Sequence, residues 1–357
     1  MGHGKARGKT DNDAPVMHGA DDLPTVTVAS YNLETRDKQG FIGDRANKSA
    51  FRDAIEVWRT RIRKGGDDPL GEVATDTLSK KEIDALLKDE ETEAAALMRA
   101  AIDDFAASLA DVLMRYLKEE AWKGTERIAV GGGFKDSTTG LMAIARAQLL
   151  LKAEGVKVAL APIAHHPDEA GLIGAVHLIP SWMLKGHDAI LAVDIGGTNI
   201  RAGVVKLNLD QAKDFGKAKV WKSELWRHAD DEPKRTATIE YLVRMLETLI
   251  GKAKKAKLAL APVIGIGCPG IIASDGSIAR GGQNLPGGNW ESTHFNLPEA
   301  LRKAIPEIDD QPTFVIMHND AVVQGLSEVP RMADCKAWAA VTIGTGLGNV
   351  SFVNKKD

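Results

Sequence analysis

Apolar residues along this 357-residue chain follow two rhythms. Phe51, Ile55, Trp58 and Ile62 recur at steps of four, three and four, which lays them on one helical face. Met98, Ile102, Phe105, Leu109, Val112 and Tyr116 carry the same step through a longer helix, and Leu242, Met245, Leu246 and Leu249 mark a third. Such stripes are core faces rather than ligand sites. Thr25-Val26-Thr27-Val28-Ala29 alternates like a strand, and apolar runs at about 127–130, 157–163, 190–194 and 258–266 complete the set. Strands interleaved with helices predict α/β lobes. Residues 1–22 are polar and aperiodic, which predicts a disordered tail in which His18 has no evident partner.

Glycine punctuates the strands at two related places. In the run 192–205, two short apolar strands flank Asp194-Ile195-Gly196-Gly197-Thr198-Asn199. A Gly-Gly pair there predicts a tight hairpin of the primed type, which needs positive φ. Its N–H groups can approach an anion closely and Thr198 adds a hydroxyl. Asp194 is placed to help hold Mg²⁺ through the ion's waters. The bland alternative is an ordinary glycine hairpin. About 150 residues later, Ile343-Gly344-Thr345-Gly346-Leu347-Gly348 repeats the grammar. Two such hairpins suggest two lobes gripping one polyphosphate. Neither the Walker loop nor the dinucleotide fingerprint is present.

Between the hairpins, His318-Asn319-Asp320-Ala321 ends the apolar run Phe314-Val315-Ile316. Asp320 could accept a proton from an attacking hydroxyl while Asn319 holds neighbouring hydroxyls. Equally, Asp320 could simply cap the helix that follows. Cys268-Pro269-Gly270 ends another strand and leads to Asn284-Leu285-Pro286-Gly287-Gly288-Asn289-Trp290, a polar loop with an aromatic wall suited to a sugar ring. His165-His166-Pro167-Asp168-Glu169 lacks the i, i+4 spacing of helical metal ligands, and Asp168 fits the N-cap of the next helix.

Composition narrows the classes. The length suffices for two domains, and 44% hydrophobic content with net charge −3 gives no footprint for nucleic acid or an acidic membrane. Two cysteines are too few for a disulfide framework. No apolar run approaches the roughly 20 residues that span a bilayer, and the start lacks a signal-peptide core, so the cytoplasm is expected.

Taken together, the five motifs at Asp194-Ile195-Gly196-Gly197-Thr198, Cys268-Pro269-Gly270, Asn284-Leu285-Pro286-Gly287, Asn319-Asp320-Ala321 and Gly344-Thr345-Gly346-Leu347-Gly348 resemble those of the ROK family of the actin-like ATPase superfamily. The resemblance implies a two-lobed actin-like ATPase (ribonuclease H-like) α/β fold. It also implies ATP-dependent phosphorylation of a hexose hydroxyl, with glucose as the leading substrate. It makes Asp320 the catalytic base, and places Asn284, Asn319, Asp320 and Gly270 at the sugar. Asp194, Gly196, Gly197, Thr198, Asn199, Gly344, Thr345 and Gly346 would serve the ATP phosphates and Mg²⁺. Gly131, Gly132 and Gly133 look like the family's adenosine turn, and 168–175 like its closing helix.

Both of those precede the first hairpin, so the chain reads as circularly permuted, with the family's usual ends joined through 180–188. On this reading 23–185 is the larger lobe, 186–317 the smaller, and 318–357 the rest of the larger. The alternative is a homodimer in which residues before 186 complete a neighbour's site. The family's Glu-x-Gly-His stretch and zinc cysteines are not found, so no structural zinc is expected. Asp44 is a candidate replacement for the carboxylate, or an N-cap or surface acid. That gap keeps open a kinase for an amino sugar or fructose, and a silent sugar- or nucleotide-responsive regulator of the ROK type.

Overall fold

The computed structural model describes residues 17–89, 91–283 and 285–355. Two compact units divide the chain: Met1–Pro24 with Ala175–His318, and Thr25–Gly174 with Asn319–Asp357. We call them unit 1 and unit 2. The divisions fall at 24/25, 174/175 and 318/319, so that residues 175–185, expected in the larger lobe, group with unit 1.

Ten strands form two five-stranded sheets. They are β1 (Val26–Tyr31), β2 (Arg127–Gly131), β3 (Ala159–Pro162), β4 (Ala189–Ile195), β5 (Ile200–Lys206), β6 (Lys219–Trp226), β7 (Leu260–Cys268), β8 (Phe314–Asn319), β9 (Ala337–Ile343) and β10 (Leu347–Asn354). The helices are α1 (Lys48–Ile62), α2 (Lys80–Leu86), α3 (Glu93–Tyr116), α4 (Thr138–Ala153), α5 (Pro167–Gly174), α6 (Arg235–Lys255), α7 (Leu297–Ala304) and α8 (Asp320–Leu326).

In unit 1 the sheet order is β8-β7-β4-β5-β6. β4, β5 and β6 form an antiparallel meander, and β7 joins β4 in parallel. In unit 2 the order is β1-β10-β9-β2-β3. There β9, β10 and β1 make the antiparallel meander, and β2 and β3 follow in parallel. Both sheets are therefore the same ribonuclease H-like arrangement of the actin-like ATPase fold. The chain runs through unit 1's meander in order, whereas in unit 2 the third, fourth and fifth positions come before the first two.

The stripes read from the sequence are core faces. Phe51, Ile55, Met98, Ile102, Phe105 and Leu109 pack with Ile128, Val130 and Val341 in unit 2. Leu242, Leu246 and Leu249 cover Leu191, Val193 and Ile264 in unit 1. Every residue of β4 is buried, as a central strand covered on both faces requires. Among the described residues no helix is long and apolar enough to cross a membrane.

Two expectations about local structure change here. Of the tail expected at 1–22, residues 1–16 lie outside the described residues, and the remainder docks along β8. Gly19 N–H donates to Met317 O (2.9 Å), and Met317 N–H donates to His18 Nδ1 (3.1 Å). β8 is the sheet's outer strand, and its unpaired N–H and C=O groups are what recruit this segment. Asp168 is not the cap of its helix. α5 begins at Pro167, whose ring suits a first helical position, so Asp168 falls in the first turn. His166 Nδ1 accepts the Asp168 N–H instead (3.2 Å).

His318 is buried in unit 1, its Nε2 bonded to Ala20 O at 3.2 Å, and burial lowers its pKa to about 4. Between that value and the ordinary 6.5 the unfolded chain takes up a proton that the folded chain refuses. Stability therefore falls as pH falls through this window. Urea denaturation at pH 7.5 and 5.0 is expected to show a loss on the order of 2 kcal/mol from this group. His318→Gln should reduce the difference between the two pH values.

Candidate active site

In unit 2, one end of the sheet gathers three of the sequence motifs. β2 and β9 are parallel, with Gly131 opposite Thr342, so both strands finish side by side. Gly132 then turns with φ +82°, and a Cβ built on it would stand 2.3 Å from Ile343 O. No side chain fits there, and the glycine turn lies directly against the last residue of β9. Gly344 follows. The hairpin closes through Gly344 N–H to Gly346 O (3.0 Å), with Ile343 paired to Leu347.

The start of α8 packs on the base of this hairpin. A Cβ on Gly348 would meet Thr342 Oγ1 at 2.3 Å and Ala321 Cβ at 2.8 Å. Asn319, not Asp320, is the N-cap. Its Oδ1 accepts from Ala321 N–H (3.0 Å) and Val322 N–H (3.3 Å). The two open alternatives for Asp320 thus separate: the neighbour performs the capping, and Asp320 occupies the first helical turn. Asn319 is buried with its carbonyl oxygen committed, so any hydroxyl it holds must be met by its NH₂. α1 also aims its N-terminus here, with Asn47 as cap and Lys48 N–H donating to Gly344 O (2.9 Å). Two helix N-termini at one loop favour negative charge.

Packing explains some of these glycines and not others. Gly132 and Gly348 are demanded by neighbouring protein atoms. At Gly346 no protein atom lies within 4 Å of the Cβ position, so the fold itself does not require glycine there. At Gly133 the single neighbour is Lys80 Nζ, at 4.0 Å.

At the far end of α8, Glu328 is buried and accepts from Ala164 N–H (2.9 Å). Burial raises its pKa, against the pull of Arg331 and Lys135. His165 is lowered to about 4, first by burial and then by the charges of Arg331 and Lys135. The His165–Glu169 stretch is thus tied into structure, and among the described residues no His, Cys, Asp and Glu group is placed to hold a metal ion.

Unit 1 carries the first hairpin. Ile195 pairs with Ile200, leaving the four-residue loop 196–199 closed by Gly196 N–H to Asn199 O (2.8 Å). Neither Gly196 nor Gly197 has positive φ, so this is not the two-residue primed turn expected. Four residues close a hairpin without left-handed glycines. Asp194 is buried beside Arg201, its cross-strand partner, with Nη1 to Oδ2 at 3.6 Å. His228 Nε2 is bonded to Gly196 O (2.9 Å), bracing the loop that carries Thr198 and Asn199.

The supposed sugar loop differs from expectation. Trp290 is 2% exposed and donates from Nε1 to Pro286 O (2.8 Å), with Phe295 edge-on at 5.4 Å. It is core, because a large ring with its N–H satisfied gains most by burial, and it offers no wall to a ligand. Gly270 has φ +101°, and its Cβ position lies 2.5 Å from Arg280 O, so a tight turn accounts for it. Asn284 lies outside the described residues. Asp44 is exposed on a short 3₁₀ turn, and the capping beside it falls to Asn47.

Residues 190–356 match the ROK family. The ROK segment holds both hairpins, Gly270, Asn284, Asn319 and Asp320, while the turn 131–133 lies outside it. Solved structures that this chain resembles include a candidate sugar kinase from Cytophaga hutchinsonii, at 22% identity over 47% of this chain and 48% of that one, TM-score 0.34. Lmo2764 of Listeria monocytogenes, a candidate N-acetylmannosamine kinase, shares 22% identity over 46% and 47%, TM-score 0.33. A ROK hexokinase from Thermus thermophilus shares 23% over 45% of each, TM-score 0.31. The chain spans about half the length of these three structures. No curated protein matches it.

Several residues around the ROK motifs were not singled out by sequence. Arg201 had a readable signal, since a hairpin pairing 195 with 200 must set 194 opposite 201. Asn47, Lys48, Lys80 and His228 had none, because long-range packing brings them in.

Three stability outcomes follow from this geometry. Asn319→Ala should cost about 1–2 kcal/mol through loss of the cap, and Asp320→Asn less than about 1 kcal/mol, read from denaturation midpoints. Gly348→Ala should cost about 1–3 kcal/mol by forcing α8 away from the hairpin, measured the same way.

Proposed function

We propose that this protein is a sugar kinase, transferring the γ-phosphoryl group of ATP to a hexose hydroxyl, with the 6-hydroxyl of glucose as the leading acceptor. The observation that carries the reading lies within unit 2. A glycine-hydroxyl hairpin, a second glycine turn and an aspartate relieved of capping meet at one sheet end. Asp320 takes the proton of the attacking hydroxyl as the phosphoryl group moves in line. The hairpin N–H groups at 345 and 346 and the N-terminus of α1 hold phosphate charge. The turn 131–133 lies along the nucleoside.

The first hairpin, in unit 1, carries the Thr198 hydroxyl and loop N–H groups of the kind that suit phosphate oxygens. The donor set there, a carboxylate at Asp194 beside a hydroxyl, consists of hard oxygens and suits Mg²⁺ held through water. When bound, that ion would neutralise charge on the phosphates. Arg201, 3.6 Å from the Asp194 carboxylate, faces it across the hairpin as its countercharge.

ATP-dependent ADP release should be assayed with glucose, mannose, fructose, N-acetylglucosamine and N-acetylmannosamine. One sugar is expected to stimulate release, and Asp320→Asn should lower turnover about 10²–10⁴-fold while retaining ATP binding. Full turnover in a folded Asp320→Asn variant would overturn the assignment of the base. Silence with every sugar, in protein that binds ATP, would favour a regulator built on the same frame.

A further inference from the structure

Helix α2 is held to unit 2 by its apolar side. Ile83 and the flanking Leu78 and Leu87 are buried in the core that contains Phe105 and Phe134. Arg52 donates to Leu78 O (3.1 Å), and a reciprocal capping box between Ser79 and Glu82 fixes the first turn. The opposite side carries Lys80 and Asp84, one turn apart and therefore on one face. Both are directed at the glycine turn and the helix after it. Asp84 accepts from Thr138 N–H (2.9 Å), Thr139 N–H (3.0 Å) and Thr139 Oγ1 (2.8 Å). Lys80 Nζ donates to Gly133 O (3.0 Å).

These contacts assign different tasks to the two charges. The N-terminus of α4 already has its anion, the Asp84 carboxylate, so that end is answered from within the chain. The same three bonds fix where α2 stands. Lys80 is then held over Gly133, the glycine of the turn at which a side chain would meet no other protein atom within 4 Å. Gly133 O engages one of the three ammonium donors. Gly132, next in the chain, touches Ile343, and Gly344 of the phosphate hairpin comes directly after. The Lys80 ammonium stands 4.0 Å from the Cβ position of Gly133, at the turn read as part of the nucleotide site.

We propose that Lys80 is a nucleotide-binding residue that donates to a phosphate oxygen of the bound ATP. This rests on the reading of 131–133 and 344–348 as the nucleotide site. An ammonium is a donor with full charge, so it favours a phosphate oxygen over the neutral groups of a nucleoside. It adds a full positive charge beside the hairpin N–H groups of unit 2.

Calorimetric titration of ATP and of adenosine into the full chain, its Lys80→Met variant and its Lys80→Arg variant tests the assignment. Methionine keeps an unbranched stem and removes the charge. Lys80→Met should weaken ATP about 10- to 100-fold and leave adenosine within about twofold, with the denaturation midpoint unchanged. Lys80→Arg should keep most of the ATP affinity. Equal ATP affinity in the full chain and Lys80→Met would overturn the role of Lys80 while leaving the nucleotide site intact. Equal weakening of ATP and adenosine would overturn it too, making Lys80 a prop for the turn. Failure of the unaltered chain to bind either compound would overturn the nucleotide site itself, and Lys80's role with it.

Discussion

The contact in unit 2 on which the candidate site depends is between two pieces of backbone. Gly132 passes the carbonyl of Ile343 so tightly that a single methyl group would be driven into it. Parallel pairing of β2 with β9 sets the two strand ends level, and this contact locks the loops that follow them. Gly348 performs the same service on the other side, admitting the first turn of α8. Hydrogen-bonding loops that would otherwise wander are thereby held in one place, as preorganised sites require. Each neighbour of the site inherits its position from these two missing side chains.

The pair Asn319-Asp320 shows how adjacent polar residues divide labour. A cap must turn its side chain back along the chain to reach N–H groups two and three residues on. A residue in the first helical turn lies one position too far along to do the same. One position of displacement therefore decides which of the two side chains caps α8. In unit 1, Asp194 and Arg201 divide a hairpin comparably, with the carboxylate and its countercharge facing each other across the two strands.

Regular periodicity made most of the fold legible in the sequence. The long stripe from Met98 to Tyr116 is α3, and the glycine-bounded apolar runs are the inner strands, because burial on both faces leaves few residues permitted there. The positions of turns at strand ends were legible where they depended on short spacing, as in both hairpins. The chemistry was obscure where the answer depended on packing. Trp290 looked like a ligand wall because composition cannot distinguish an aromatic ring facing out from one facing in, and its indole N–H found a carbonyl inside. The Gly196-Gly197 pair suggested a two-residue turn, whereas the register of β4 and β5 set a loop of four. His18 and residues 17–22 carried no periodic signal because polar contacts hold them to the edge of β8, Gly19 through its backbone and His18 through its ring.

The order of strands in unit 2 has a consequence for how the chain acquires its shape. β1 closes against β10 with Val26 opposite Asn354, one of the longest separations in the molecule. β9, the strand between β10 and β2, is also supplied from the end of the sequence. During synthesis unit 1's five strands emerge within 189–319 and can assemble, while β2 waits without β9, its partner in the sheet. Domains fold as units and non-local pairing is slow. The open edge of β2 is therefore the part of unit 2 that a chaperone, or another unfinished chain, encounters until β9 arrives.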